Sequence, residues 1–359
     1  MKLGLIIYGS LETVSGGFRY DRTLVEYLRS RGDSVEIFSL PWRNYSRHLL
    51  DNFSAGFFHS LARANLDVLI QDELNHPSLF RLNRKLKEHV AYPLVSIVHH
   101  LRSRESRPEW QNKLYSMVER EYLRSVDGFI FVSRTTSSDV RALTEREAPS
   151  ILAYPGRDSV NVAMTTDQIK MRSFQKDALR ILFVGSLIRR KELHTLITAL
   201  ADIPGDIWRL DVVGSLTTDR SYVSGIRQLV EKLKLFDQVS LLGILTSEEL
   251  SKYYARSQLL AVPSSYEGFG MVYLEGMGFG LPSIASTAGA PHEIITHGQD
   301  GFLVRPGDVS AIADHIMELG RNREKLFHMS LNALERYQRH PTWDECTAKI
   351  ADFLESMVN

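Results

Sequence analysis

Two carboxylates, Glu267 and Glu275, stand with seven residues between them, and those seven open with Gly268-Phe269-Gly270. Ahead of them Leu259 to Val262 reads as a short apolar strand, and a helix is expected to begin near Met271. A strand, a tight glycine turn and a helix together aim free backbone N–H groups at an anion, and the helix dipole acts in the same direction. Glu267 falls in the turn; Glu275 falls about one helical turn inside, on the side of the turn's opening. Such a pair can grip hydroxyls of a sugar and of a ribose while the amides of Gly268, Phe269, Gly270 and Met271 hold phosphates between them. The alternative is that these glycines and carboxylates serve turn geometry and solvation alone.

The elements that must position these residues are legible along the whole chain. Short apolar strands alternate with amphipathic helices, which argues for parallel sheets built from strand-helix-strand units. The first group of strands is expected at Leu3 to Tyr8, Val35 to Phe38, Leu66 to Ile70, Leu94 to Val98 and Phe129 to Val132. Ligands on such sheets gather outside the carboxyl ends of the strands, so residues just after each strand matter. Gly16 and Gly17 lie between the first strand and a helix expected from about Phe18 to Arg31. The phrase is not G-x-G-x-x-G, so no dinucleotide fingerprint is present. His99 and His100 follow the Leu94 to Val98 strand. A second series starts at Arg180 to Val184, closes on Gly185 and leads through Arg189, Arg190 and Lys191 into a helix. Strands at Leu210 to Val213 and Val239 to Leu242 also close on glycine, Gly214 and Gly243. The polar segment Ser159 to Asp177 has no sustained apolar period and reads as the inter-domain linker or a mobile loop.

The block Glu267-Gly-Phe-Gly-Met-Val-Tyr-Leu-Glu275, the later Gly280 and Pro282, the run Ala288-Gly-Ala-Pro-His-Glu293 and the closing Asp300-Gly-Phe-Leu-Val304 resemble family 4 retaining glycosyltransferases. The resemblance implies an α/β fold of the GT-B type, two Rossmann-like parallel-sheet domains facing a central cleft, with the last helix crossing back to the first domain. It sets an acceptor domain at 1–160 completed by 341–359, a linker at 161–178 and a nucleotide-sugar domain at 179–340. It implies transfer of a sugar from a nucleoside-diphosphate sugar, a UDP- or GDP-sugar, to an acceptor hydroxyl without a metal ion or a bound cofactor. Glu275 would hold the ribose, Glu267 would orient sugar hydroxyls, and Lys191 would neutralise the leaving diphosphate. His99 would line the sugar pocket, with His100 as its competitor, and Gly16 and Gly17 would face the donor phosphates and the acceptor. Gly185 ends the strand before the phosphate-binding loop. The family's pattern there is G-R-L-x-x-x-K-G; this chain has Ser186 for the arginine and Glu192 for the last glycine. Arg189 or Arg190 could supply the missing cation, and Arg190 is carried as a donor-binding candidate. Tyr154-Pro-Gly-Arg-Asp158 resembles the motif that ends the first domain. Other sugar-nucleotide chemistry on the same fold, epimerisation or phosphorolysis, and a non-catalytic nucleotide- or glycan-binding module are the competing readings.

Composition sets the outer bounds. The chain has 359 residues, enough for two domains of ordinary size. Lys+Arg and Asp+Glu are equal at 43 each, so no bulk field draws nucleic acid. Basic residues at Arg81, Arg84, Lys85, Lys87, Arg102, Arg104 and Arg107 are either a solvated face or a peripheral contact with anionic lipid. One cysteine, Cys346, excludes an internal disulfide and a cysteine metal cage, which fits a reducing compartment, and the expected address is the cytoplasm or the cytoplasmic face of a membrane. The stretch His292-Glu-Ile-Ile-Thr-His297 is one residue too long for the zinc-protease pair, and no D-x-D clamp occurs. Gly276-Met-Gly-Phe-Gly280 lacks a P-loop ending and is read as close packing.

Overall fold

The computed structural model describes residues 1–13, 15–158 and 164–358. The chain divides into two compact units, Met1–Gly156 with Pro341–Asn359, and Arg157–His340. Each is built on one six-stranded sheet in which every neighbouring pair is parallel.

In the first unit the strands are β1 (Lys2–Tyr8), β2 (Ser34–Leu40), β3 (Val68–Asp72), β4 (Leu94–Val98), β5 (Gly128–Phe131) and β6 (Ser150–Leu152), in the order β2-β1-β3-β4-β5-β6. β3 and β4 are buried along their whole length, as strands covered on both faces must be. The short strand β6 carries little apolar signal and was not among the strands expected. The core contains Ile6, Tyr8, Leu69, Leu94, Val98, Tyr122 and Phe129. The last helix, Trp343–Ser356, belongs to this unit: Tyr20 meets Trp343 edge to face at 5.7 Å, and its hydroxyl donates to the Ala153 carbonyl at 3.0 Å. Gly156 lies against the Trp343 backbone so closely that a methyl group there would sit 2.3 Å from the Trp343 nitrogen.

In the second unit the strands are β7 (Leu179–Val184), β8 (Trp208–Val213), β9 (Val239–Gly243), β10 (Leu259–Val262), β11 (Ser283–Ser286) and β12 (Gly301–Val304), in the order β12-β11-β10-β7-β8-β9. Trp208, Phe183, Tyr273 and Phe302 are the large side chains of its interior. The direction of winding reverses where β10 pairs with β7 rather than with β9. At such a switch point the loops after the two central strands diverge and leave a crevice at their carboxyl ends. In the first unit the same reversal falls between β1 and β3.

Two expectations need correction. The helix after β1 starts at Gly16, capped by the Ser15 hydroxyl accepting from Phe18 N, so Gly16 and Gly17 form its first turn rather than a loop before it. The stretch 161–178 is not a plain linker: residues 161–163 lie outside the described residues, as does the expected boundary at 160, but Thr166–Ser173 is a helix of the second unit. Its capping box between Thr165 and Gln168 starts it, and buried Ile169 and buried Arg172 help to hold it. Arg172 donates to the carbonyls of Ala255 at 3.3 Å and Gly280 at 2.8 Å. An arginine facing carbonyls leaves no apolar periodicity to read. Among the described residues no helix is long and apolar enough to cross a membrane.

Candidate active site

The switch point of the second sheet brings together the loops after β7 and β10, residues 76 positions apart in the chain. Lys191 Nζ donates to Glu267 Oε1 at 2.5 Å. Arg190 Nη1 lies 3.4 Å from Glu267 Oε2 and donates to the Tyr266 carbonyl at 2.7 Å. Ser264 Oγ also donates to Glu267 Oε1 at 2.6 Å. The backbones are joined as well, Ser265 N donating to the Arg190 carbonyl at 2.8 Å. Of the two arginines weighed for the missing cation, Arg190 stands beside Lys191 while Arg189 is exposed.

The electrostatics follow from burial and company. The Lys191 and Glu267 side chains are only 14% and 8% exposed. Burial opposes ionisation of Glu267, but the charges of Lys191 and Arg190 and the hydrogen bonds from Lys191 and Ser264 overcome it and hold the carboxyl at about 2. Burial lowers the Lys191 ammonium, with Glu267 acting in the opposite sense. The carboxylate is fixed, and the ammonium, with three donors, keeps capacity for a further acceptor.

The turn after Glu267 is built for backbone exposure. Gly270 is the N-cap of the helix Met271–Gly278 with φ 96°, a left-handed value, and an added Cβ would stand 2.4 Å from the Tyr273 ring. Tyr273 in turn donates to the Val262 carbonyl at 2.6 Å and ties the helix to the end of β10. The N–H groups of Gly270, Met271 and Val272 carry no hydrogen bond among the described residues. These are the orphan donors that every helix start leaves. From behind, Ala290 N donates to the Glu267 carbonyl at 2.8 Å, and Gly289 passes so near that a Cβ would meet that carbonyl oxygen at 2.0 Å. The Ala288 to Glu293 run thus sets the backbone of Glu267. Glu275, half-buried on the same helix, accepts from the Tyr254 hydroxyl at 3.0 Å. Gly185, at the end of β7, has the Lys191 stem beside it.

His99 follows β4 in the first unit, one strand away from that sheet's switch point, and its ring reaches back to the helix after β1. Its Nε2 is 3.2 Å from Asp21 Oδ1, its ring meets Tyr20 edge to face at 5.3 Å, and the ring packs against Gly17. Asp72, at the end of β3, and Asp21 bring carboxylate oxygens within 4.8 Å of the His99 ligand atom. Burial pushes Asp72 up to about 7, helped by the charge of Asp21, and burial pushes Glu73 up to about 8. Asp21, Asp72 and Glu73 do not stand out in the sequence; the available signal is the adjacent pair Asp72-Glu73 at the end of the third strand. His100 pairs with Glu105 at 3.0 Å.

Asp21, Asp72 and His99 form one set of three groups with spacing that could hold a metal ion, and Glu73, His76 and Glu119 form another. In the second set Glu119 already accepts from the Ser103 N–H and hydroxyl, and His76 is bonded to Tyr45 and the Glu73 carbonyl. In the first, His99 Nε2 is taken by Asp21 and Asp72 Oδ1 accepts from Leu74 N. The basic residues near the first unit's surface also have partners: Arg84 with Glu121, Lys87 with Asp127, Arg104 with Asp139, Arg107 with Glu105, and Lys85, Arg81 and Arg102 over aromatic rings.

Residues 165–336 match the family model described as glycosyl transferases group 1. A GDP-mannose-dependent α-(1-6)-phosphatidylinositol monomannoside mannosyltransferase of Mycobacterium tuberculosis is 30% identical over 183 residues, 48% of this chain and 46% of that protein, so the match spans slightly under half of either. Among solved structures, sucrose-phosphate synthase of Thermosynechococcus elongatus superposes with a TM-score of 0.85 at 23% identity, covering 99% of this chain and 98% of that one. HepE of Anabaena, solved with UDP and glucose, superposes with a TM-score of 0.80 at 20% identity over 99% of this chain and 100% of that one. With two six-stranded parallel sheets and these neighbours, the chain has the GT-B fold.

Proposed function

We propose that this protein is a retaining glycosyltransferase of family 4 that moves a hexose from a nucleoside diphosphate to an acceptor hydroxyl. The observation that carries the reading is the cation pair Lys191 and Arg190 held on Glu267, just ahead of the open helix start at Gly270 to Val272 and of Glu275 on the same helix. Two phosphates need positive charge and N–H donors, and Lys191, Arg190 and the helix start offer both. Glu267, ionised and fixed, accepts from sugar hydroxyls; Glu275, steadied by Tyr254, accepts from the ribose. His99 is a donor to the sugar. Ile244, 64% exposed after β9, and the neighbouring Leu245 offer an apolar surface for the base.

The bond between the anomeric carbon and the diphosphate oxygen breaks, the acceptor oxygen bonds to that carbon on the same face, and the acceptor's proton passes to the departing phosphate oxygen. Lys191 and Arg190 take up the charge that develops on the leaving group. The relatives' names point to UDP- and GDP-sugars as donors to test. Peripheral contact with an anionic membrane draws support from Trp110, Leu114 and Met117, which are exposed along one face of the helix Glu109–Leu123. Salt-dependent sedimentation with anionic liposomes tests that contact.

The central test is thermal shift with UDP, GDP, ADP and their hexose conjugates, followed by NMR of the product formed from the donor that binds. One nucleotide should stabilise the protein, with the effect lost in Glu275→Ala and Lys191→Ala, and the product should keep the donor's anomeric configuration. Inversion would overturn the retaining mechanism, and binding without turnover across acceptors would favour a binding module, as Ser186 in place of the family's arginine allows.

A further inference from the structure

Asp21 is a fully buried carboxylate on the helix Gly16–Ser30. One oxygen faces His99 Nε2 at 3.2 Å; the other, Oδ2, is buried with no hydrogen-bond partner. A buried carboxylate with so little hydrogen bonding calls for a compensating positive charge, and the group placed to supply it is the imidazole. The groups facing that imidazole are Asp21 and the Tyr20 ring from the helix, Asp72 from the end of β3, and Glu73 just beyond it; His100 and Arg102 act on Glu73. His99 Nδ1 makes no hydrogen bond among the described residues, and the side chain keeps 18% of its surface.

We propose that Asp21 is a positioning residue for the transfer reaction: it holds His99 through Nε2 and keeps the ring doubly protonated, so that His99 meets substrate through Nδ1–H as a charged donor and not as a base. The proposal rests on the reading of His99 as a sugar-facing residue. Burial alone would lower the imidazole, but the charges of Asp21, Asp72 and Glu73 and the Asp21 hydrogen bond outweigh it and hold the ring at about 9. A ring in that state cannot take the acceptor's proton. It stabilises a hydroxyl oxygen in the sugar, or the negative charge that the departing diphosphate gains.

The test follows the His99 ring by NMR in the full-length protein labelled at histidine Cε1, with the resonance assigned from His99→Gln. In the wild type the ring should stay charged to about pH 8. In Asp21→Asn its titration should fall from about 9 to the ordinary 6.5 or below. Sugar transfer by Asp21→Asn should then fall relative to the wild type as pH rises through the lowered value, because the charged donor is lost. Should Asp21→Asn not fold, Asp21→Glu and Asp72→Asn give the same readout, the former restoring the high value and the latter lowering it in part. A wild-type ring that titrates near 6.5, or one that ignores Asp21→Asn, overturns the role of Asp21. So does a variant whose activity rises with pH, the behaviour of a base. Unchanged KM and kcat in His99→Gln would instead remove His99 from the substrate, whatever the ring titration shows. The two failures are therefore distinguishable.

Discussion

Replacing Lys191 with Met tests two claims at once. The Glu267 carboxyl is held at about 2 against an ordinary 4.5. At 1.36 kcal/mol per pH unit that difference is worth about 3 kcal/mol of preference for the ionised state. Lys191 supplies its charge and one hydrogen bond to that preference; Arg190 and Ser264 supply the rest. Removal of Lys191 should therefore cost roughly 2 kcal/mol at neutral pH, softened by the burial penalty that the ammonium no longer bears. The sign with pH is fixed. Because folding depresses the Glu267 value, its contribution is fully present above about 4.5 and is lost as pH falls through about 2. The gap between wild type and Lys191→Met should be widest near pH 7 and shrink below pH 4.5. Trp208 is the one tryptophan between Arg157 and His340, so its fluorescence reports urea unfolding of the second unit once the other three are replaced by Phe.

Turnover should fall much further than stability. A single preorganised group that meets charge developing in the transition state is worth about 10² to 10³ in rate. Nucleotide release from the donor, measured with saturating acceptor, should drop by that factor in Lys191→Met with the protein still folded. A variant that loses stability as described but keeps turnover within about threefold would show that Lys191 serves Glu267 and not the diphosphate, and the site assignment would fail.

Gly270→Ala meets both a left-handed backbone and the Tyr273 ring, so it should cost more than about 1 kcal/mol in urea unfolding and weaken nucleotide binding by calorimetry. Tyr254→Phe removes the hydroxyl on Glu275 and should weaken nucleotide binding by about 1 kcal/mol, roughly fivefold, with little change in melting temperature. Arg172→Met strips the donors from the Ala255 and Gly280 carbonyls and should destabilise the second unit by about 2 to 3 kcal/mol with donor affinity retained in the folded fraction. Glu192 holds φ 56° where the resembled family has glycine, so Glu192→Gly should be about 1 kcal/mol more stable than Glu192→Ala, the pair compared by urea midpoint.

The strands with dense apolar sequence were legible. Leu94–Val98 and Leu259–Val262 have the ends that the sequence suggests, because a strand buried on both faces must be apolar throughout. The short β6 and the helix Thr166–Ser173 were not, since the first has three residues and the second is fixed by a cap and an arginine. At the candidate site the single-stretch motif from Glu267 to Glu275 could be read because its spacing is local. The contact of Lys191 with Glu267 could be expected only through the resemblance, since sheet order alone brings the two loops together. Asp21 was hidden for the same reason: in sequence it is an ordinary helical aspartate, and its meaning comes from His99 at a separation of 78 residues.

The two sheets solve one electrostatic problem in opposite senses. Each reverses its winding once, and near each reversal a group in a loop beyond a strand is met by a partner of opposite charge. In the second unit a carboxylate, Glu267, is held ionised by Lys191 and Arg190. In the first an imidazole, His99, is held charged by Asp21 with Asp72 and Glu73 close by. Neither group is left to titrate near neutrality, which is what a general acid or base would need. A pair of groups locked in their charged states is suited to orienting hydroxyls and stabilising an anion. In the proposed transfer the acceptor's proton goes to the departing phosphate.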